Sequence, residues 1–227
     1  MDGTLVPSSG SYAIWSTNTV TQSGSSDLGG TSGTTDFVPS NPGHPSIIAE
    51  NQIYPGGFPN SPDKVLGGAL NGFPDGTLKS IAQSGLNGSQ YITDPKNVSL
   101  PLSGVTYLEL DGKKDKDRTW QSMDISGSGI LIVHNSSTST IMKNVNKGTF
   151  AGLMIVDDMV HIHADIIGAV VALTPSPSSG NCIGNGNGNV LYSTEAIQSA
   201  FKQIGINGSS LNYGFGNNRL HITNWLE

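Results

Sequence analysis

Charge is scarce in this chain. Lys, Arg, Asp and Glu make up 12% of its 227 residues, where about 25% is usual. That shortage argues against a coiled coil, a charge-rich disordered tail and a typical helical cytosolic enzyme. Basic residues are the scarcer kind: 11 Lys and Arg stand against 17 Asp and Glu, a net charge of −6. There is no Lys/Arg stripe and no interleaving of basic with aromatic residues, so nucleic acid is not expected as a partner. Cysteine occurs once, as Cys182, and an intrachain disulfide is therefore impossible. Long apolar runs are missing too. The nearest, residues 153–173, is interrupted by Asp157, Asp158, His161, His163 and Asp165, so it does not read as a membrane span. No secretory leader is visible, because Met1-Asp2-Gly3 opens neither a basic nor an apolar region. Leu226-Glu227 reads as a vector scar and Met1 as an engineered start. On that reading an upstream membrane helix has been removed.

What the chain does have is Gly, Ser, Thr and Asn, which together supply 95 of the 227 residues. Between them lie short aliphatic blocks, too clustered for a wholly disordered chain. A single domain covering 1–227 is expected, long enough to bury a substantial core. Tyr12 to Trp15 and Thr19 to Thr21 read as a strand pair. Residues 22–63 read as an irregular Ser/Gly/Pro-rich excursion. A short helix is expected near 75–84, where Pro74-Asp75 marks the start, Leu78, Ile81 and Ala82 share a face, and Gly85 stops it. A second is expected near 194–204. It opens on Ser193 as a capping side chain with Glu195 in the first turn.

Aliphatic strands then recur. Val105–Leu110, Gly129–Val133, Gly152–Val156, Ile166–Leu173 and Asn189–Tyr192 follow one another roughly every 20 residues. Leu108 to Leu131 and Leu131 to Met154 are each 23 residues apart, Met154 to Val171 is 17, and Val171 to Leu191 is 20. Periods of this length point to solenoids, and no helix between the strands is long enough for a βαβ crossover. The expected fold is mainly β, a parallel β-helix (solenoid) whose open end is capped by the 194–204 helix. The alternative is an antiparallel β-sandwich.

The order of these segments resembles a known family. Gly129-Ile130-Leu131-Ile132-Val133, Phe150-Ala151-Gly152-Leu153-Met154-Ile155-Val156, Ile167-Gly168-Ala169-Val170-Val171 and Val190-Leu191-Tyr192-Ser193-Thr194-Glu195-Ala196-Ile197 are similar to the C-terminal domain of bacterial minor pilin-like proteins, the PilX-type pilus assembly proteins. Phe73-Pro74-Asp75 to Ala82 and Ile222-Thr223-Asn224-Trp225 resemble other parts of it. The resemblance implies a β-helical ectodomain on an N-terminal membrane helix, working in type IV pilus assembly or at the cell surface. It implies other pilus or cell-envelope proteins, or a surface ligand, as partners and an extracytoplasmic location. It supplies no catalytic residue. The 22–63 excursion and the His/Asp content of 157–165 depart from the family pattern.

The densest functional group is Asp157-Asp158-Met159-Val160-His161-Ile162-His163-Ala164-Asp165. On a strand His161 and His163 share one side, while Val160, Ile162 and Ala164 share the other. Two imidazoles at that spacing, with Asp157 or Asp158 adding oxygen, make a candidate transition-metal site; the plain reading is a solvated outer face. Asp157 and Asp158 face opposite ways and cannot form the carboxyl pair that glycoside hydrolysis needs. A partner would have to be a carboxylate from another coil, such as Glu109 or Asp124. Gly184 to Asn189 precedes a strand rather than a helix and reads as a flexible turn, not a phosphate loop. The mixed-sign run Asp111 to Arg118 lacks the order of a calcium loop and reads as a hairpin tip. Asn87, Asn97, Asn135 and Asn207 stand in N-x-Ser sequons that composition alone generates.

No cofactor is expected. So few ionisable groups leave little with which to build acid–base chemistry. The expected function is a non-enzymatic structural or adhesive ectodomain acting through protein–protein or surface contacts. The alternative is a carbohydrate-binding or carbohydrate-active β-helix, which a grouping of convergent carboxylates and aromatics would favour.

Overall fold

A computed structural model describes residues 59–121, 124–174 and 188–205, together with short strands elsewhere whose side chains are left out. In chain order the elements are β1 (Ile14–Ser16), β2 (Thr21–Gly24), β3 (Leu28–Gly29), β4 (Ile48–Glu50), α1 (Pro62–Val65), α2 (Thr77–Ser84), β5 (Gln90–Ile92), β6 (Val105–Leu108) and β7 (Thr119–Gln121). There follow β8 (Gly127–Val133), β9 (Ile141–Val145), β10 (Thr149–Val156), β11 (Asp158–Ile162), β12 (Asp165–Ala172), β13 (Cys182–Gly186), β14 (Val190–Tyr192), α3 (Thr194–Gln203), β15 (Leu211–Gly214) and β16 (Arg219–Ile222).

Two sheets carry the fold, and every pairing in them is parallel. The larger runs β3-β14-β12-β10-β8-β6-β5, with β1 beside β12 and β4 beside β1. The smaller runs β2-β13-β11-β9-β7. Six strands of the larger sheet and three of the smaller have described side chains. From β6 to β14, each return between neighbours in the larger sheet passes through a strand of the smaller one: β7, β9, β11 and β13 in turn. A two-stranded antiparallel pair, β15 with β16, stands apart.

The aliphatic runs explain the layering. Ile130 to Val133, Leu153 to Val156 and Ala169 to Ala172 are all buried. Successive side chains on a strand point to opposite faces, so both faces of β8, β10 and β12 are covered, as is typical of parallel sheets in α/β proteins. One cover is α3, which packs against β8, β10 and β12 with Ala196, Ile197, Ala200 and Phe201 buried. On the other hand β7 and β9 bury Trp120, Met142 and Val145 while Gln121 and Lys143 stay exposed. Residues of both sheets join one hydrophobic core. Where β5 and β6 extend the larger sheet, α2 packs against them and buries Leu78 and Ala82.

This overturns the expected class. The chain is α/β, built of two all-parallel sheets with helices laid on strands; it is neither the mainly-β parallel β-helix nor the antiparallel sandwich. The 194–204 helix does not close an end of a strand stack but lies across three strands of the larger sheet. The doubly buried runs require that helical layer. Register agrees with the spacing argument at one step, where Leu131 pairs with Met154, and differs at the others. Leu108 pairs with Val133, Met154 with Val170, and Leu191 with Ile167.

A column of glycines shapes the strand starts. Gly129, Gly152 and Gly168 stand side by side across β8, β10 and β12 with φ of 115°, 147° and 140°. A Cβ on Gly152 would lie 2.0 Å from the Gly129 carbonyl oxygen, and one on Gly168 1.8 Å from that of Gly152. Only glycine permits this approach. Gln203 at the end of α3 reaches the same corner, accepting from the Gly104 N–H at 2.9 Å and donating to Ser128 Oγ at 2.8 Å.

Other local expectations divide. α2 forms at the expected place, but the N–H groups at its start are capped from a distance. Asp63 accepts from Gly76 N at 2.8 Å and Leu78 N at 2.9 Å. Ser193 caps α3 as expected, accepting from Ala196 N at 3.2 Å. β1 and β2 form near the expected segments but join different sheets. Of the 22–63 excursion, only short strand segments and residues 59–63 fall among the described residues, and Leu226-Glu227 lies outside them. The backbone of Cys182–Gly186 is strand β13, which overlaps the expected turn. The Asp111–Arg118 run holds a 3-10 turn at Asp115–Asp117.

Candidate functional site

The carboxyl ends of the larger sheet collect its polar chemistry. Ile92, Leu108, Val133, Val156 and Ala172 are successive partners across β5, β6, β8, β10 and β12. The residues that follow β6, β8 and β10 are Glu109, His134 and Asp157. An acid, an imidazole and a second acid thus stand in one row at the ends of three neighbouring parallel strands. Ligands in open α/β sheets bind outside this edge, which makes the row the candidate site.

Asp157 is the hub. It marks the corner where the chain leaves β10 for β11, and it is completely buried. Its Oδ1 lies 2.6 Å from His134 Nδ1. Its Oδ2 accepts from Asn135 N at 3.0 Å, Thr140 N at 3.0 Å and Thr140 Oγ1 at 2.7 Å. A buried carboxylate needs such partners, because leaving it unpaired in a low dielectric costs several kcal/mol, on the order of 3–5. Its main chain is engaged as well: Asp157 N donates to Val133 O and Thr174 N donates to Asp157 O. Asn135 extends the network, donating from Nδ2 to Leu110 O at 2.8 Å and accepting on Oδ1 from Ser137 N and Ser139 N at 3.0 and 3.1 Å. This sequon asparagine is therefore buried and committed, whereas Asn87 and Asn97 are exposed; Asn207 lies outside the described residues.

Glu109 forms the outer part. Lys79 of α2 places Nζ 2.5 Å from Glu109 Oε2, and the Tyr91 hydroxyl donates to the same oxygen. Lys79 Nζ also lies 5.2 Å from the Tyr91 ring centre, within cation–π reach. The Tyr91 and Tyr107 rings are tilted at 6.1 Å. Burial alone would push the Glu109 carboxyl up, but the bonds from Lys79 and Tyr91 outweigh it and hold the group below its ordinary value. Lys79 is raised, chiefly by its bond to Glu109. Burial raises the Tyr107 phenol. It also raises Asp63, against the pull of the Leu78 and Gly76 amides.

The four residues expected as a metal set are not brought together. Asp157 is consumed inside the corner, and Asp158 is buried with Oδ1 accepting from Met159 N at 2.9 Å. His161 and His163 are half-buried, with Val160, Ile162 and Ala164 buried between and beside them. The strand alternation is interrupted here, since His161 has φ of 56° next to Asn144 at 52° on β9. Among the described residues no three His, Cys, Asp or Glu side chains converge to hold a metal ion.

Neither proposed carboxyl partner reaches Asp157. Glu109 stands two strands away, about 10 Å between backbones at the usual strand spacing, with His134 between. Asp124 lies at the opposite, amino ends of the strands, accepting from Ser126 N at 2.7 Å close to the Gly148 backbone.

The sequence reading passes over His134 and Thr140 and takes Asn135 only as a sequon. A signal existed. His134 and Asp157 each follow an aliphatic run directly and are separated by 23 residues, the recurrence spacing itself.

Comparison with protein-family models, with curated proteins and with solved structures gave no match. Among the described residues no helix is long and apolar enough to cross a membrane.

Proposed function

We propose that this chain is a non-enzymatic structural or adhesive domain that works through protein–protein or surface contacts. The observation that carries the reading is the fate of the polar row. Asp157 is enclosed by donors of its own chain, and Glu109 is taken up by Lys79 and Tyr91. General acid–base catalysis needs a group within hydrogen-bond reach of a substrate proton, and a carboxylate with no exposed surface offers none. These groups fasten strand ends and α2 to one another. The sequence resemblance to PilX-type pilus assembly proteins adds a setting: an extracytoplasmic, surface or pilus-associated location, with other envelope proteins or a surface ligand as partners.

Tyr91, Tyr107 and Glu109 do gather at one place, as the carbohydrate reading would want. Yet the Tyr91 hydroxyl and the Glu109 carboxylate bond each other, and Lys79 stands over the ring. That grouping supports a fastening better than a sugar platform.

Complementation in the source organism tests the proposal. The gene is deleted, and attachment and surface piliation are scored after return of the wild type or H134Q. A scaffold predicts full rescue by H134Q whenever its melting temperature is kept. Loss of function at unchanged stability would sink the reading, as would turnover of a polysaccharide panel by the purified protein that H134Q abolishes.

A further inference from the structure

We draw no further inference here: the strongest candidate, the buried His134–Asp157 pair at the carboxyl ends of β8 and β10, belongs to the site already described.

Discussion

His134 and Asp157 follow two neighbouring parallel strands at the same register, and His134 Nδ1 lies 2.6 Å from Asp157 Oδ1. This contact ties the corner after β8 to the corner after β10. Asn135 and Thr140 complete the tie by donating to the other carboxylate oxygen. Replacing Asp157 with Ala would strand several buried donors at once, each costing about 1–3 kcal/mol when unpaired. D157A is expected to lose about 3–5 kcal/mol, and D157N, which keeps one acceptor oxygen, to lose less. Urea unfolding followed by far-UV circular dichroism checks both. A D157A variant within about 0.5 kcal/mol of wild type, the range of an ordinary surface change, would show that the hub is not where stability is concentrated.

The Lys79–Glu109 pair should show its own pH signature. The folded value of Glu109 lies below its ordinary one, so its contribution is complete above the ordinary carboxylate range and fades as pH falls through the lowered value. The folded value of Lys79 lies above its ordinary one, so its contribution is complete below the ordinary lysine range and fades as pH rises through the raised value. The coupling is therefore expected to be flat between about pH 6 and pH 9 and to vanish at both extremes. A double-mutant cycle with K79M and E109Q should give about 0.2–1 kcal/mol. The upper end is favoured because Tyr91 also bonds Glu109. A coupling that grew, rather than faded, as pH falls below the ordinary carboxylate range would contradict the assignment.

Gln203 fastens the end of α3 to the sheet through Gly104 N and Ser128 Oγ, and its backbone oxygen accepts from Asn87 Nδ2 at 2.5 Å. Q203A removes the two side-chain bonds and leaves the backbone contact. The expected loss is about 1–2 kcal/mol, with faster amide exchange in the last turn of α3 and unchanged exchange in β10. Equal acceleration in both elements would mean that the helix end is not an independent fastening.

The sequence made some of this legible and hid the rest for physical reasons. β8, β10 and β12 stand out because Ile130–Val133, Leu153–Val156 and Ala169–Ala172 are nearly unbroken aliphatic runs. The same runs carried the correct class, since a strand with no polar alternation is buried on both faces. The runs fit a solenoid as well, and it is the cover of α3 on β8, β10 and β12 that separates the two. β7 and β9 are harder to see, because each buries one or two residues among polar neighbours: Trp120, Met142 and Val145. The Ser193 cap of α3 is local and readable. The Asp63 cap of α2 comes from a separate helix, and no spacing rule reaches it. His134 and Asp157 were visible as a 23-residue repeat, but that Asn135 and Thr140 turn inward to Asp157 is a product of the corner geometry.

The glycine column gives the sharpest test of the strand packing. Gly152 has φ of 147°, and a Cβ there would meet the Gly129 carbonyl oxygen at 2.0 Å, backbone that the ladder holds in place. Gly85 at the end of α2 also has positive φ, 71°, but nothing lies within 4 Å of its Cβ position. Conformation alone costs an L-residue about 1–2 kcal/mol in the left-handed region, so G85A should lose about that much and stay folded. G152A adds a clash that only separation of β8 from β10 can relieve, so it is expected to lose more than about 4 kcal/mol, the range of exceptional single substitutions, or to be recovered only as aggregate. Soluble yield and thermal melts of the two variants, made in parallel, decide the matter. If G152A melts within a few degrees of G85A, the strands do not approach as closely as the register requires.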